Sequence, residues 1–333
     1  MTGGALRFGI LGAARIAPMA LVRPARRVPG AMVLAVAARD PERARRFAAR
    51  HGIPRVHPSY EALLADPEVE AIYNPLPNAL HAVWTIRALE AGKHVLCEKP
   101  FAATVAEAEA MAAAAARAGR VLMEAFHYRY HPLFARVQAI LAAGEIGAMR
   151  HLEAHLHIPL VIPNDIRWRA DLAGGALMDV GCYTVHLLRH LAQAEPTVVS
   201  AQARWTAGGV DRAMAADLRF PDGRTARLGC ALLSPVLLRA DATVVGTAGR
   251  LRVLNPIAPQ FWHRLTVLTP ALERRERVRD GASYDHQLRA FVAAVRDGAA
   301  YPTTPADAIA NMRVIEAIYA AAGRPRAASS AGS

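Results

Sequence analysis

Lysine is almost missing from this chain of 333 residues: Lys93 and Lys99 stand against 38 arginines. A background so poor in lysine makes each survivor a candidate for a position that needs a compact ammonium and not a guanidinium fork. Cysteine is scarce as well. Cys97, Cys182 and Cys230 are odd in number and far apart, which excludes a disulfide scaffold, argues for a reducing compartment and leaves no metal-ligand spacing. No apolar run approaches the roughly 20 residues that cross a bilayer, and Met1–Arg7 contains no secretory apolar core. The expectation is a soluble cytoplasmic protein with no membrane partner and no metal.

What is present supports a full core. Apolar residues make up 53% of the chain and charged residues 20%, which excludes a disordered chain, and the length suits two domains. The formal charge of +12 raises the question of nucleic acid. The arginines, however, are spread along expected helices (Arg43, Arg45, Arg46, Arg50) and strands (Arg224, Arg227, Arg250, Arg252) and form no block interleaved with aromatics. No nucleic-acid partner is expected.

The first 125 residues alternate strand and helix. Apolar runs at 6–11, 32–38, 69–73, 94–97 and 120–124 are separated by helical stretches at 41–51, 59–65, 79–91 and 104–118, with Gly52, Gly92 and Gly119 as stops. Buried strands separated by helices make a parallel sheet covered on both faces, a doubly wound Rossmann domain. Past residue 130 the rhythm changes. Helices at 132–143 and 175–192 precede strand-like segments at 197–206, 213–220, 224–233, 240–246, 250–254 and 261–268, and helices at 284–297 and 305–321 close the chain. Successive strands without helices between them imply a large, mainly antiparallel sheet in an α+β domain. The expected division is 1–128 for nucleotide binding, 129–304 for substrate and dimerisation, 305–323 as a helix returning near the first domain, and 324–333 as a disordered tail.

Four segments carry the chemistry. Gly9-Ile10-Leu11-Gly12-Ala13-Ala14-Arg15-Ile16-Ala17 follows the first strand and fits a dinucleotide fingerprint with Gly12, Ala14 and Ala17 at its three small positions, though a plain tight turn reads the same way. Ala14 departs from the usual glycine, and its methyl group reduces the closeness a pyrophosphate needs. After the second strand stand Ala38 and Arg39, where an NAD site has an acid and an NADP site a cation for the 2′-phosphate. Asp40-Pro41 reads as a cap and first helical residue, and Arg43 either reaches the same phosphate or lies on a solvated helix face. Asn74-Pro75-Leu76-Pro77-Asn78-Ala79-Leu80-His81 and Glu98-Lys99-Pro100 lie at the carboxyl ends of parallel strands, where ligands bind in such sheets. In the fourth segment Asp179, Tyr183 and His186 are related by i, i+4 and i+7, which puts them on one helical face. That face is either solvated or the means by which a helix presents proton-transfer groups.

Glu98-Lys99-Pro100, with Gly174-Gly175-Ala176-Leu177-Met178-Asp179-Val180-Gly181-Cys182-Tyr183 about 75 residues later, resembles the glucose–fructose oxidoreductase, inositol dehydrogenase and rhizopine catabolism family (Gfo/Idh/MocA). The resemblance spans nearly the whole chain. Ala37-Ala38-Arg39-Asp40 and Leu96-Cys97-Glu98-Lys99-Pro100 are similar to the branch of dimeric dihydrodiol dehydrogenases and NADP-dependent D-xylose dehydrogenases. Pro163-Asn164-Asp165-Ile166-Arg167-Trp168 is similar to a loop of that branch and of deoxysugar ketoreductases. Several inositol-type relatives carry histidine where Tyr183 stands, which places this chain in the tyrosine subgroup. The resemblance implies an NADP(H)-dependent oxidoreductase acting on a CH–OH group of a sugar-like substrate, with Lys99 and Tyr183 in proton transfer and Asp179 and His186 beside them. It implies that Gly12, Ala14, Arg15, Ile16, Arg39, Arg43, Leu76, Pro77, Asn78, His81, Glu98, Lys99 and Pro100 line the cofactor, and that Arg167, Trp168, Asp179 and Tyr183 meet the substrate, with loop 157–170 setting specificity. A non-catalytic nucleotide-binding regulator and a trans-dihydrodiol dehydrogenase are the rival readings. A homodimer or dimer of dimers is expected, on the argument that an open apolar face of the second sheet needs cover.

Overall fold

The computed structural model describes residues 4–324; the expected disordered tail lies outside them except for Arg324. The chain divides into two compact units. Among the described residues, one runs to Tyr130 and takes in Tyr284–Ile309, and the other comprises His131–Ser283 and 310–324.

The first unit holds six parallel strands: β1 (Leu6–Leu11), β2 (Ala31–Ala37), β3 (Arg55–His57), β4 (Ala71–Asn74), β5 (His94–Cys97) and β6 (Leu122–Glu124). Their order is β3-β2-β1-β4-β5-β6. Chain direction across the sheet reverses between β1 and β4, which makes their carboxyl ends the topological switch point of a Rossmann fold. The helices start and stop as their sequences require. Asp40 Oδ1 accepts from Glu42 N and Arg43 N at the head of helix Pro41–His51, and Gly52 closes it at φ +65°. Thr104 caps Val105–Ala118 in the same way, and Gly119 ends it. The expected boundary at 304 moves. Helix Ser283–Asp297 falls with this unit from Tyr284 on, because Phe291 stacks on Phe8 at 5.5 Å and Asp285 takes both arms of the Arg27 guanidinium at 2.6 and 2.8 Å.

The second unit is built on an eight-stranded sheet. Its strands are β7 (Met149–His157), β8 (Thr197–Trp205), β9 (Asp211–Arg219), β10 (Thr225–Ala231), β11 (Arg239–Gly246), β12 (Arg250–Leu254), β13 (Arg264–Leu268) and β14 (Glu273–Glu276). The order is β14-β13-β12-β11-β7-β10-β9-β8, antiparallel except for the pair β7–β10. Leu152, Ala154 and Leu156 of β7 are buried, and helices Pro132–Ala142 and Cys182–Ala192 cover that side, enclosing an apolar space lined by Leu133, Val137, Leu187, Leu251 and Val253.

The opposite face is not the apolar surface expected. One row crosses all eight strands in register as Ser200, Asp217, Arg227, Glu153, Thr243, Arg252, Thr266 and Arg275. Every member is polar. Arg227 and Asp217 sit 3.6 Å apart with side chains about half exposed. Whatever covers this row meets polar and charged side chains.

Candidate active site

In the first unit the fingerprint forms a tight turn out of β1. Gly12 adopts φ +84° and donates to Ala37 O at 2.7 Å. A Cβ there would stand 3.1 Å from Leu76 Cδ2, so the backbone conformation and the close approach both select glycine. Ala14 and Ile16 follow half-buried, with Arg15 exposed. A π-turn over Pro18–Val22 continues into Arg23–Ala25, where the sequence reads as an ordinary helix.

Arg43 Nη2 donates to Ala13 O at 2.9 Å. Of the two readings left open for Arg43, this bond suits the first: the residue is exposed, and its guanidinium folds back onto the fingerprint loop. Arg39 is exposed and forms no ion pair with any carboxylate of the described residues. Tyr60, absent from the expected site, joins this corner through a hydrogen bond with the Arg39 backbone. Its ring meets Trp84 edge-on at 4.7 Å. The corner fits the 2′-phosphate of NADP: an uncommitted guanidinium stands beside a glycine cradle.

At the ends of β4 and β5 a buried hydrogen-bond network shapes two loops. Asn74 Nδ2 donates to His81 O and Thr85 Oγ1, and Asn74 Oδ1 accepts from Leu76 N. The His81 ring spans Leu76 O at 2.7 Å and Pro100 O at 2.8 Å. Burial pushes its pKa down to about 4, with Lys99 adding to the shift and the two carbonyls opposing it. The ring is therefore neutral at pH 7 and donates to one carbonyl. Being 1% exposed, His81 holds the Leu76-Pro77-Asn78 loop against Pro100 and presents no face to a ligand.

Glu98 is buried too. It accepts from Tyr73 Oη at 2.7 Å and from Lys99 N at 3.3 Å. Burial and then the Glu98 charge push the Tyr284 phenol up, and its ring stacks on His127 at 4.0 Å. Glu124 accepts from Phe101 N just past Pro100. Tyr73, Glu124 and Tyr284 are supports that no local sequence pattern announces. The two lysines separate cleanly. Lys93 Nζ is buried on Asp66 O at 2.8 Å and is structural, whereas Lys99 is half-buried among the candidate residues.

In the second unit, Arg167 binds Asp179 through Nε at 2.7 Å and Asp165 through Nη1 at 3.0 Å. Trp168 Nε1 donates to Ile162 O. The glycine pair after this loop allows two close approaches. A Cβ on Gly174 would lie 2.4 Å from Arg167 O, and one on Gly175, at φ +128°, would lie 2.1 Å from Asp211 Oδ1. Asp211, fully buried at the start of β9, accepts from Leu177 N and from Tyr319 Oη, each at 2.7 Å. It pins the head of the helix that carries Asp179 and Tyr183.

That helix corrects the expected stripe. Leu177–Gly181 is a π-turn and the α-helix begins only at Cys182. The three residues therefore do not share one α-helix: Asp179 lies in the π-turn, and Tyr183 and His186 lie in the α-helix after it. Asp179 pairs with Arg167, Tyr183 is 8% exposed, and His186 is fully buried with its ring 4.1 Å from that of His190.

The first unit thus carries a Rossmann switch point with Lys99 at the end of a neighbouring strand, the second a helix head with Tyr183 and a paired Asp179, and the two together suit a cofactor-dependent oxidoreductase. The family models agree. Residues 6–126 match an oxidoreductase family with an NAD-binding Rossmann fold, and residues 134–252 match the GFO/IDH/MocA C-terminal domain. The chain belongs to the Gfo/Idh/MocA oxidoreductase family. It is 38% identical to a D-xylose 1-dehydrogenase (NADP(+)) of Haloferax volcanii over 95% of this chain and 97% of that one. It is 37% identical to a dTDP-3,4-didehydro-2,6-dideoxy-alpha-D-glucose 3-reductase of Streptomyces antibioticus, again over 95% and 97%. Among solved structures, a 3-ketoreductase of Actinomadura kijaniata in complex with NADP and TDP-benzene superimposes with a TM-score of 0.90 at 31% identity, covering 95% and 98%. That enzyme has also been solved with one tyrosine changed to phenylalanine and with one lysine changed to alanine.

Proposed function

We propose that this oxidoreductase uses NADP(H) to interconvert a secondary alcohol and a ketone, or a hemiacetal and a lactone, on a sugar-like substrate. The observation that carries the cofactor choice is Arg39, exposed and without a carboxylate, beside the Gly12 turn and the anchored Arg43. The relatives support the substrate class: one is a xylose dehydrogenase and another a ketosugar reductase. Bound NADP(H) supplies or accepts the hydride. The chain must then hold or deliver one proton, and Tyr183 with Lys99 is assigned that role. An ammonium near the phenol favours the phenolate and lowers a pKa that is otherwise near 10. The lysine and tyrosine altered in the Actinomadura enzyme are separated by the same interval along the chain as Lys99 and Tyr183. Asp179, neutralised by Arg167, orients substrate and does not act as base.

The protein works in the cytoplasm as a homodimer or dimer of dimers. None of its three cysteines is in a disulfide and all are buried, which suits a reducing compartment. The polar rows of the eight-stranded sheet suit a two-fold copy, because alternating charge can be self-complementary. No described helix is long and apolar enough to cross a membrane. The deciding experiment is a screen of aldoses, ketosugars and dihydrodiols with each nicotinamide cofactor, read by absorbance of the reduced ring. Turnover confined to NADP(H) and to sugar-like compounds supports the reading. Tight NADPH binding without turnover of any compound would make the protein a regulator on the same fold.

A further inference from the structure

Six of the fourteen large apolar side chains exposed among the described residues lie in two short stretches of the second unit. Val161, Ile162 and Ile166 belong to one, and Val236, Leu237 and Leu238 to the other; Val161 is 72%, Leu237 60% and Leu238 68% exposed. The stretches are stitched together. Ile158 N donates to Ala231 O and Leu160 N to Leu232 O, extending the β7–β10 pairing past its end, and His157 Nδ1 lies 3.2 Å from Ser234 Oγ. The first stretch is also tied to the substrate residues. Trp168 Nε1 donates to Ile162 O, and Ile166 directly precedes Arg167, which grips Asp179.

We infer that this apolar rim receives the apolar substituent of the substrate, so that the enzyme acts on sugar-like molecules bearing an aryl or alkyl group in preference to bare sugars. The inference rests on the proposed function. Exposed apolar surface rimmed by polar groups marks a ligand groove or a protein contact, and its ties to the substrate residues favour the ligand. The rim begins one residue from a side chain that holds Asp179, and Trp168 of the same loop donates to Ile162 O within it. A binding site of this kind pairs a few fixed polar groups with an apolar wall. Arg167, Asp165 and Asp179 are the former and the two stretches the latter.

The test measures affinity of the NADP⁺-loaded protein for methyl and phenyl β-D-xylopyranoside by calorimetry. The phenyl compound should bind at least about tenfold more tightly, from the apolar area of one ring. In Val161→Ser/Ile166→Ser/Leu238→Ser, a change of three exposed side chains, that ratio should fall to about twofold while methyl xyloside binding is kept. Equal affinities in the wild type overturn the inference. So does a variant that keeps the ratio but passes from dimer to monomer in light scattering, which would give the rim to a second copy. Failure of both glycosides to bind, with no turnover in the sugar screen, removes the proposed function and this inference with it. Turnover in the screen without a phenyl preference removes the inference alone.

Discussion

Arg39→Ala isolates the recognition of the 2′-phosphate. A guanidinium–phosphate hydrogen bond contributes about 1.5–3 kcal/mol. Arg39 is exposed, so solvent and salt hold the loss to the lower end of that range. About 1.5–2 kcal/mol corresponds to roughly a ten- to thirtyfold rise in the NADPH dissociation constant. NADH lacks the phosphate, and its affinity should stay within about twofold. Arg43→Ala should behave differently. Its Nη2 bond to Ala13 O supports the loop after Gly12, and losing a partly buried hydrogen bond removes about 1 kcal/mol from both cofactors. The assay is a fluorescence titration of NADPH and NADH against wild type, each single variant and the double. A cycle in which Arg39 changes the NADPH/NADH ratio and Arg43 mainly lowers both supports the division of labour. If Arg39→Ala leaves the ratio where it was, the guanidinium does not touch the 2′-phosphate and the cofactor assignment falls.

Three further outcomes are expected. Tyr183→Phe and Lys99→Met should each lower kcat by about 10²–10⁴ with NADPH affinity little changed, and Lys99→Arg should not restore it; near-normal turnover in Tyr183→Phe would move the proton elsewhere. Asp211→Ala strands Leu177 N and Tyr319 Oη in a buried site, so it should destabilise by about 2–4 kcal/mol in urea unfolding, and an unchanged midpoint would refute its role as an anchor. His81 is held near pKa 4 by burial, below its unfolded value of about 6.5. The unfolded state therefore binds the extra proton, so the contribution of His81 is present in full above pH 6.5 and declines as pH falls toward 4. His81→Asn should flatten the loss of stability between pH 6.5 and 4, read from denaturant midpoints at each pH.

Much of this architecture is visible in the amino-acid order, and the omissions have physical causes. The parallel strands are apolar runs, and the helices between them are closed by αL glycines such as Gly52 and Gly119, signals that act locally. β7, the strand at the centre of the second sheet, escapes notice because His151, Glu153, His155 and His157 interleave with its buried residues and dilute its apolar character. The π-turn at Leu177–Gly181 cannot be read from residue spacing, since spacing arguments presuppose an α-helix. Asp211 and Tyr284 act on partners far away in sequence. Lys99, Tyr183, Arg39 and the Gly12 turn were legible because each sits at the end of a strand or the head of a helix, where a short motif and its structural context coincide.

The near absence of lysine has a consequence for anyone handling the protein chemically. A chain whose positive side chains are almost wholly guanidinium groups offers little to reagents that acylate or condense with amines. Lys93 spends its ammonium on Asp66 O inside the first unit, which leaves Lys99 as the one side-chain amine not enclosed. Aldehydes and activated esters, which decorate most proteins at random, should here behave nearly as site-directed probes, and their rate of attachment would report on the ionisation of a single residue.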